Sequence, residues 1–244
     1  MTTYNHDIFQ RTELLLGEQT VQRIAEARVI IFGLGGVGSW CAETLIRSGI
    51  HYLTIVDGDE VVASNINRQL MATTATIGQP KVEVLRQRLQ TINPDARIQA
   101  VCGRYNAETA GNFHLDEYDF VIDAIDSLND KALLINTITS MEKVLLFSSM
   151  GAARKLDPSK IRVAEFGKVT GDPLARTLRH KFKQLGEFPK RKFLCVYSDE
   201  ILPNAYTSPD NANGTMAHIT VIFGNMLASL VLTSIRQNAH SGVI

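Results

Sequence analysis

Gly33-Leu34-Gly35-Gly36-Val37-Gly38 fits the spacing G-x-G-x-x-G. Glycines at these positions let the backbone approach phosphates at a helix N-terminus, where free N–H groups and the dipole favour anions. Asp57 follows about twenty residues on, where a carboxylate can accept hydrogen bonds from ribose hydroxyls. Glycines and acid together predict a nucleotide site, but they do not separate ATP from NAD. The next segment does. Arg68 lies in Ser64-Asn65-Ile66-Asn67-Arg68-Gln69 and Lys81 in Gly78-Gln79-Pro80-Lys81, just after Asp57-Gly58-Asp59. A triphosphate needs Arg and Lys donors to offset several negative charges, whereas a nicotinamide site needs one ribose acid and no cation cluster near its pyrophosphate. Lys81 also opens a helix, where the dipole disfavours a cation, and a nearby phosphate would explain the placement. Asp126, in Asp123-Ala124-Ile125-Asp126, ends a strand on the carboxyl edge where open sheets bind ligands. There it could hold magnesium, orient the reacting phosphate, or simply cap the helix that starts at Leu128.

These residues need a scaffold of alternating strands and helices. Arg28 to Phe32 reads as a strand, Val37 to Ser48 as a helix and Tyr52 to Val56 as a second strand. The pattern repeats: a helix from Pro80 to Ile92, strands at Arg97 to Cys102 and Tyr118 to Ile122, a helix from Leu128 to Met141, and a strand at Val144 to Ser148. The alternation implies an α/β, Rossmann-like, doubly wound and mostly parallel sheet, ending near Ser149. After Gly151 come a β-like run, Ile161 to Phe166, and a helix announced by Asp172 at its cap and Pro173 at its first position. We therefore divide the chain into an N-terminal helical arm (1–27), an ATP-binding region (28–150) and a C-terminal substrate and dimer region (151–244) with antiparallel strands and helices, all in one integrated domain. Leu202 to Gly214, carrying Pro203, Asn204, Pro209, Asp210, Asn211, Asn213 and Gly214, has the composition of a loop.

Charge and cysteine content narrow the setting. Twenty-five basic side chains balance twenty-five acidic ones, so affinity for nucleic acid would have to come from a local basic patch. Arg176, Arg179, His180 and Lys183 supply one, at helical spacings of three and four, with Lys181, Lys190, Arg191 and Lys192 nearby. Phe182, Phe188 and Phe193, interleaved with them, read as core side chains. Cys41, Cys102 and Cys195 are odd in number and far apart, which fits a reducing, cytoplasmic setting, and Met1 to Gln10 does not read as a secretory signal. Cys41 and Cys102 read as packed; Cys195 could be an acceptor, with a packed strand cysteine the favoured reading. Met216 to Ile235 is apolar enough to suggest a membrane span, but His218, Thr220, Asn225, Ser229, Thr233 and Ser234 interrupt it, and we expect a buried helix and no membrane association.

Gly-x-Gly-Gly-x-Gly, Asp57-x-Asp59, Asn65-x-x-Arg68-Gln69, Gly78-Gln79-Pro80-Lys81 and Asp123-x-x-Asp126, in this order over residues 28 to 126, resemble the ubiquitin-activating-type adenylating superfamily. The resemblance implies attack of a carboxylate on the α-phosphate of ATP, giving an acyl-adenylate and pyrophosphate. It implies that Gly33, Gly35, Gly36 and Gly38 with Asp57 and Asp59 form the nucleotide cradle. Within it, Gly35 and Gly36 would face phosphates and Asp57 the ribose. Asn65, Arg68 and Lys81 would hold the triphosphate, with Asp126 at Mg2+ and the α-phosphate. Arg11, in Gln10-Arg11-Thr12-Glu13-Leu14-Leu15, would enter the site of a second subunit, which implies a homodimer. A structural Na+ or K+ ion and sulfur-relay partner proteins also belong to what the resemblance brings.

Superfamily relatives that activate ubiquitin-like or sulfur-carrier proteins usually carry Cys-x-x-Cys zinc pairs or an acceptor cysteine. This chain has no two cysteines close in sequence. Asn93-Pro94, Val121 to Ser127, Ser148 to Ala153, Asp157-Pro158, Asp172-Pro173-Leu174-Ala175 and Tyr197-Ser198-Asp199-Glu200 instead resemble the tRNA threonylcarbamoyladenosine dehydratases. That resemblance implies ATP-dependent cyclisation of the threonylcarbamoyl group on a tRNA adenosine. The side-chain carboxylate would be adenylated and a nitrogen of the same modification would close the ring. An enzyme nucleophile is then unnecessary, because the attacking atom is tethered to the electrophile. The alternatives are adenylation of the C-terminus of a ubiquitin-like or sulfur-carrier protein and, from another class, an NAD-dependent oxidoreductase.

Overall fold

In the computed structural model, which describes residues 4–207 and 212–241, seven strands form one sheet in the order β3-β2-β1-β4-β5-β7-β6. They are β1 (Arg28–Phe32), β2 (Tyr52–Asp57), β3 (Arg97–Cys102), β4 (Phe120–Asp123), β5 (Leu145–Ser149), β6 (Ile161–Glu165) and β7 (Leu194–Ser198). Every pair is parallel except β6 on β7. The helices are α1 (His6–Leu16), α2 (Glu18–Glu26), α3 (Gly38–Arg47), α4 (Lys81–Ile92), α5 (Leu128–Ser140), α6 (Pro173–Leu185) and α7 (Ala217–Ser241).

The central strands are apolar almost throughout because both faces of the sheet are covered. Side chains alternate along a strand, so β1 feeds two cores at once. Val29 and Ile31 join the cluster under α3, α4 and α7, while Ile30 and Phe32 join the cluster under α5 and α6. The apolar segment from Met216 is α7. Its stripe Ile219, Phe223, Leu227, Val231 and Ile235, spaced by four, is buried in the first core. The helix approaches α3 so closely that a Cβ on Gly224 would stand 2.5 Å from the Val37 carbonyl oxygen. By length and composition α7 could cross a membrane; its buried stripe and this close packing make it a core helix.

Two expectations are corrected. The parallel sheet does not stop near Ser149: β7 pairs with β5 in parallel, so residues past Gly151 build the same sheet, and only the edge strand β6 runs the other way. A single apolar run such as Leu194 to Ser198 cannot announce its partner, because strand direction is set by the length and course of the connection. Cys102 is exposed at the end of the edge strand β3, whereas Cys41 and Cys195 are buried as expected. Ser208, Pro209, Asp210 and Asn211 of the anticipated loop lie outside the described residues; the described remainder of the loop has no helix or strand.

Candidate functional site

A cavity of about 670 Å³ opens at the carboxyl ends of the central strands. It lies where the chain passes from β1 to β2 on one side while β4 flanks β1 on the other, the switch point at which open sheets bind ligands. Gly33, Gly35, Gly36, Asp57, Asp59, Arg68, Lys81 and Asp126 all line it.

The Gly loop owes its shape to close packing. Gly33 has φ +88°, and a Cβ there would sit 2.5 Å from the Ala124 carbonyl oxygen; one on Gly38 would lie 1.8 Å from the Gly33 carbonyl oxygen. Gly38 is therefore a packing glycine away from the lining, while Gly35 and Gly36 face the cavity. Asp57 locks the next turn to this loop. Its Oδ2 accepts from the Leu34 N–H at 2.6 Å and its Oδ1 from the Asp59 N–H at 2.9 Å. Each carboxylate oxygen keeps a second lone pair for a ligand hydroxyl.

Asp59 is held between Lys81 Nζ at 3.0 Å and Arg104 Nη2 at 2.7 Å. Partial burial works against its charge, but the hydrogen bonds from Arg104 and Lys81 outweigh that and hold its carboxyl below the usual range. Lys81, at the first position of α4, is buried with its ammonium on this carboxylate. Arg68 bends back onto the Ser64 carbonyl (2.8 Å) and Asn67 Oδ1 (2.9 Å), and its own carbonyl accepts from Trp40 Nε1 at 3.1 Å. Asn65 is buried beneath the lining, where its Oδ1 accepts from the Val62 N–H and shapes the turn. Gln69, quoted above only as part of a motif, is buried on the lining, and its Oε1 has no partner among the described residues. Arg11 is exposed on α1 and does not reach this cavity.

Asp126 does not cap α5; the capping position belongs to Ser127, whose side chain makes no capping hydrogen bond. What fixes this turn escaped sequence reasoning. Asp123 and Lys131, both fully buried, form an ion pair at 2.8 Å. Ser148 Oγ donates to Asp123 at 2.6 Å, the Ile125 N–H donates to the same carboxylate, and Lys131 Nζ also donates to the Ile125 carbonyl. A buried charge is tolerated only when so surrounded, and here the arrangement sets the path of Ala124, Ile125 and Asp126. The available signal was an acid at a strand end followed by a lysine one turn into the next helix. Arg104 was missed too, because nothing in its local sequence marks it.

The opposite wall comes from the loops after β5 and β7. Arg154, in a left-handed conformation (φ 62°), donates its N–H to the Gly214 carbonyl and its Nε to that of Leu202, while its own carbonyl accepts from the Leu202 N–H. Lys155 is buried, with Nζ on the carbonyls of Ser198 (2.9 Å) and Glu200 (2.8 Å); burial lowers its pKa against the pull of nearby carboxylates. Glu200 Oε2 accepts from the N–H groups of Leu156 and Asp157. These bonds place Ala152, Ala153, Asn213 and Thr215 on the lining. Asp172 caps α6 through the Ala175 N–H as expected, and burial raises its pKa.

The basic stretch divides. Arg176 and Lys183 are exposed on α6, but Arg179 packs over the Phe166 ring and donates to the Phe166 carbonyl. Arg191 is wholly structural, donating to the carbonyls of Ile138, Thr139, Glu142 and Val144 at the end of α5. Phe182 and Phe193 are core side chains as expected, and Phe188 is not, being exposed. Burial pushes the Cys41 and Cys195 thiols far up, which removes them as nucleophiles at neutral pH.

A Gly loop at the switch point, with Arg68, Lys81 and Arg104 and the acids Asp57, Asp59, Asp126 and Asp130 around one cavity, defines a nucleotide-binding protein of the doubly wound α/β class. The chain belongs to the ThiF family, whose model matches residues 9–242. It is 38% identical over 192 residues to the tRNA threonylcarbamoyladenosine dehydratase of Bacillus subtilis, covering 79% of this chain and 74% of that protein. It is also 38% identical over 199 residues to the enzyme of that name from Escherichia coli, covering 80% and 74%. The crystal structure of the E. coli tRNA N6-threonylcarbamoyladenosine dehydratase in complex with AMP superimposes with a TM-score of 0.90 at 33% identity, over 99% of this chain and all of that one. The same enzyme in complex with ATP gives 0.88 at 34% identity, over 97% and 96%.

Proposed function

We propose that this chain uses ATP to dehydrate threonylcarbamoyladenosine in tRNA, closing its side chain into a ring. The threonyl carboxylate attacks the α-phosphorus of ATP and pyrophosphate leaves. A nitrogen of the same modification then attacks the activated carbonyl carbon, AMP departs with the former carboxylate oxygen, and the nitrogen's proton passes to solvent. The net change is loss of one water from the nucleoside. The observation that carries this reading is the cavity itself. It brings Lys81, Arg68 and Asp126 to the Gly loop without any cysteine on its lining. Chemistry that needs no covalent enzyme intermediate fits that inventory, since the tethered nitrogen supplies the nucleophile.

Within this reading, Gly35 and Gly36 face the phosphates, Asp57 accepts from the ribose, and Lys81 and Arg68 offset phosphate charge as bonds break. Asn65 acts from beneath, by shaping the turn that presents Arg68. Among the described residues no cluster of three metal-ligating side chains exists. Asp126 and Asp130 both face the cavity, and magnesium is bound through one or two carboxylates with phosphates completing its shell. Bound there with the nucleotide, it would neutralise phosphate charge. The Na+ or K+ ion has no residue assigned to it. Arg11 serves a second copy of the chain: it is exposed on α1 beside Leu14 (76% exposed) and Leu15 (82%), an apolar face suited to a homodimer. Exposed Arg176 and Lys183 on α6 form the tRNA-facing patch.

The test is incubation of the protein with bulk tRNA and ATP, followed by mass analysis of nucleosides. Loss of one water from threonylcarbamoyladenosine is expected. ATP–pyrophosphate exchange that depends on a Gly-Gly-ended carrier protein, with no change in tRNA, would overturn the reading in favour of carrier activation.

A further inference from the structure

Arg104, in the turn after β3, brings a cation to the cavity that belongs to none of the motifs. Its stem lies over Gly58, where a Cβ would meet Arg104 Cγ at 3.1 Å, and its guanidinium reaches Asp59. With 69% of the side chain exposed, the pair with Asp59 adds little to stability. The order of subsites along the sheet says what the guanidinium covers. The Gly loop follows β1, Asp57 ends β2, and Arg104 follows β3, the next strand outward. A nucleotide with its phosphates on the Gly loop and its ribose at Asp57 runs outward, so its base arrives at the turn after β3. Phe32, Val56 and Tyr105 line the cavity there, and Phe32 and Tyr105 stand edge to face at 5.1 Å. The subsite thus has an apolar floor and a planar cation at its outer rim.

Resting on the nucleotide reading above, we propose that Arg104 closes the base subsite, with its guanidinium lying across the face of the purine. A guanidinium over an aromatic face combines stacking with cation–π attraction. Asp59 holds the guanidinium by one oxygen and Lys81 by the other, so one carboxylate orients both cations.

Titrating AMP, ATP and inorganic pyrophosphate into the wild type, Arg104→Ala and Arg104→Phe tests this. Arg104→Ala is expected to weaken AMP and ATP alike by about tenfold, at the scale of a partly desolvated cation–π contact, and to leave pyrophosphate unchanged. Arg104→Phe keeps a stacking face without charge and is expected to restore most of the AMP affinity. Unaltered AMP binding by Arg104→Ala overturns the proposal. So does a loss that extends to pyrophosphate, or one that Phe does not repair, because either would put the guanidinium on phosphate. A wild type that binds neither AMP nor ATP sinks the nucleotide reading as well, whereas normal wild-type binding alongside an unaffected Arg104→Ala sinks only the role of Arg104.

Discussion

The two walls of the cavity are built differently. On the nucleotide wall most organising bonds span short stretches of chain, Asp57 to Leu34 being 23 residues and Lys81 to Asp59 22, with Arg104 to Asp59 at 45 the exception. On the facing wall Lys155 reaches Ser198 across 43 residues and Arg154 reaches Leu202 across 48. The first wall is a run of strand-to-helix turns whose residues carry their own geometry. The second exists only after β7 has been inserted beside β5, since β7 and the loop that follows it supply the carbonyls that Lys155 and Arg154 hold. A wall of the first kind is recognisable as motifs; one of the second kind is recognisable only as contacts.

Breaking the buried ion pair beneath the cavity is expected to have the largest effect. Lys131→Met leaves Asp123 charged and unpaired in the core, and a loss of about 3–5 kcal/mol in chemical denaturation is expected. The double variant Asp123→Leu with Lys131→Met should recover most of that stability, because an apolar pair of similar volume replaces the buried charges, while the turn bearing Asp126 loses its support and turnover stays low. On the nucleotide wall, Lys81→Ala and Asp126→Ala should each lower product by about 10²–10³-fold, the scale of one lost charge-stabilising group, with both variants still folded and only the midpoint of exposed Asp126→Ala nearly unchanged. Nucleoside mass analysis reads the product, and full turnover by both variants would remove their assigned roles.

Lys155→Met sharpens the contrast from the other side. It strips a donor from two carbonyls, for about 1–3 kcal/mol of local cost, and loosens the loop that carries Asn213 and Thr215. The expected result is a higher KM for tRNA with AMP affinity unchanged; equal losses of both would mean the walls act as one unit. The smallest effect belongs to the α6 surface. Arg176→Glu with Lys183→Glu should weaken tRNA binding several-fold at moderate salt and flatten its salt dependence, with no change in ATP use. Arg179 is unsuited to this test because its guanidinium braces Phe166.

Legibility in the sequence followed the same division. Arg28 to Phe32 and Arg97 to Cys102 are strands with the expected bounds, and the Asp172–Pro173 start of α6 appears as anticipated. Each is announced by a local rule, such as an apolar run or a capping acid before proline. The sheet's continuation through β7, the exposure of Cys102 and Phe188, and the structural duties of Arg179 and Arg191 were not readable. An arginine that braces a ring and one that faces solvent have the same sequence signature, and only neighbours from elsewhere in the chain tell them apart. Arg104 is the sharpest case, for its significance comes from standing next to Asp59, 45 residues away.

From the order of residues alone came the Gly loop, the acids at the ends of β2 and β4, the two cations on the turns between, and the class of chemistry they imply. These are set by backbone conformations and dipoles acting over a few residues, so they survive translation into a string of letters. Folding in three dimensions decided which groups share one cavity, which charges are sealed beneath it as Asp123 and Lys131 are, and which cations remain free to meet a substrate. Burial and pairing depend on what the rest of the chain places around a group, and that is known only once the sheet has closed over it.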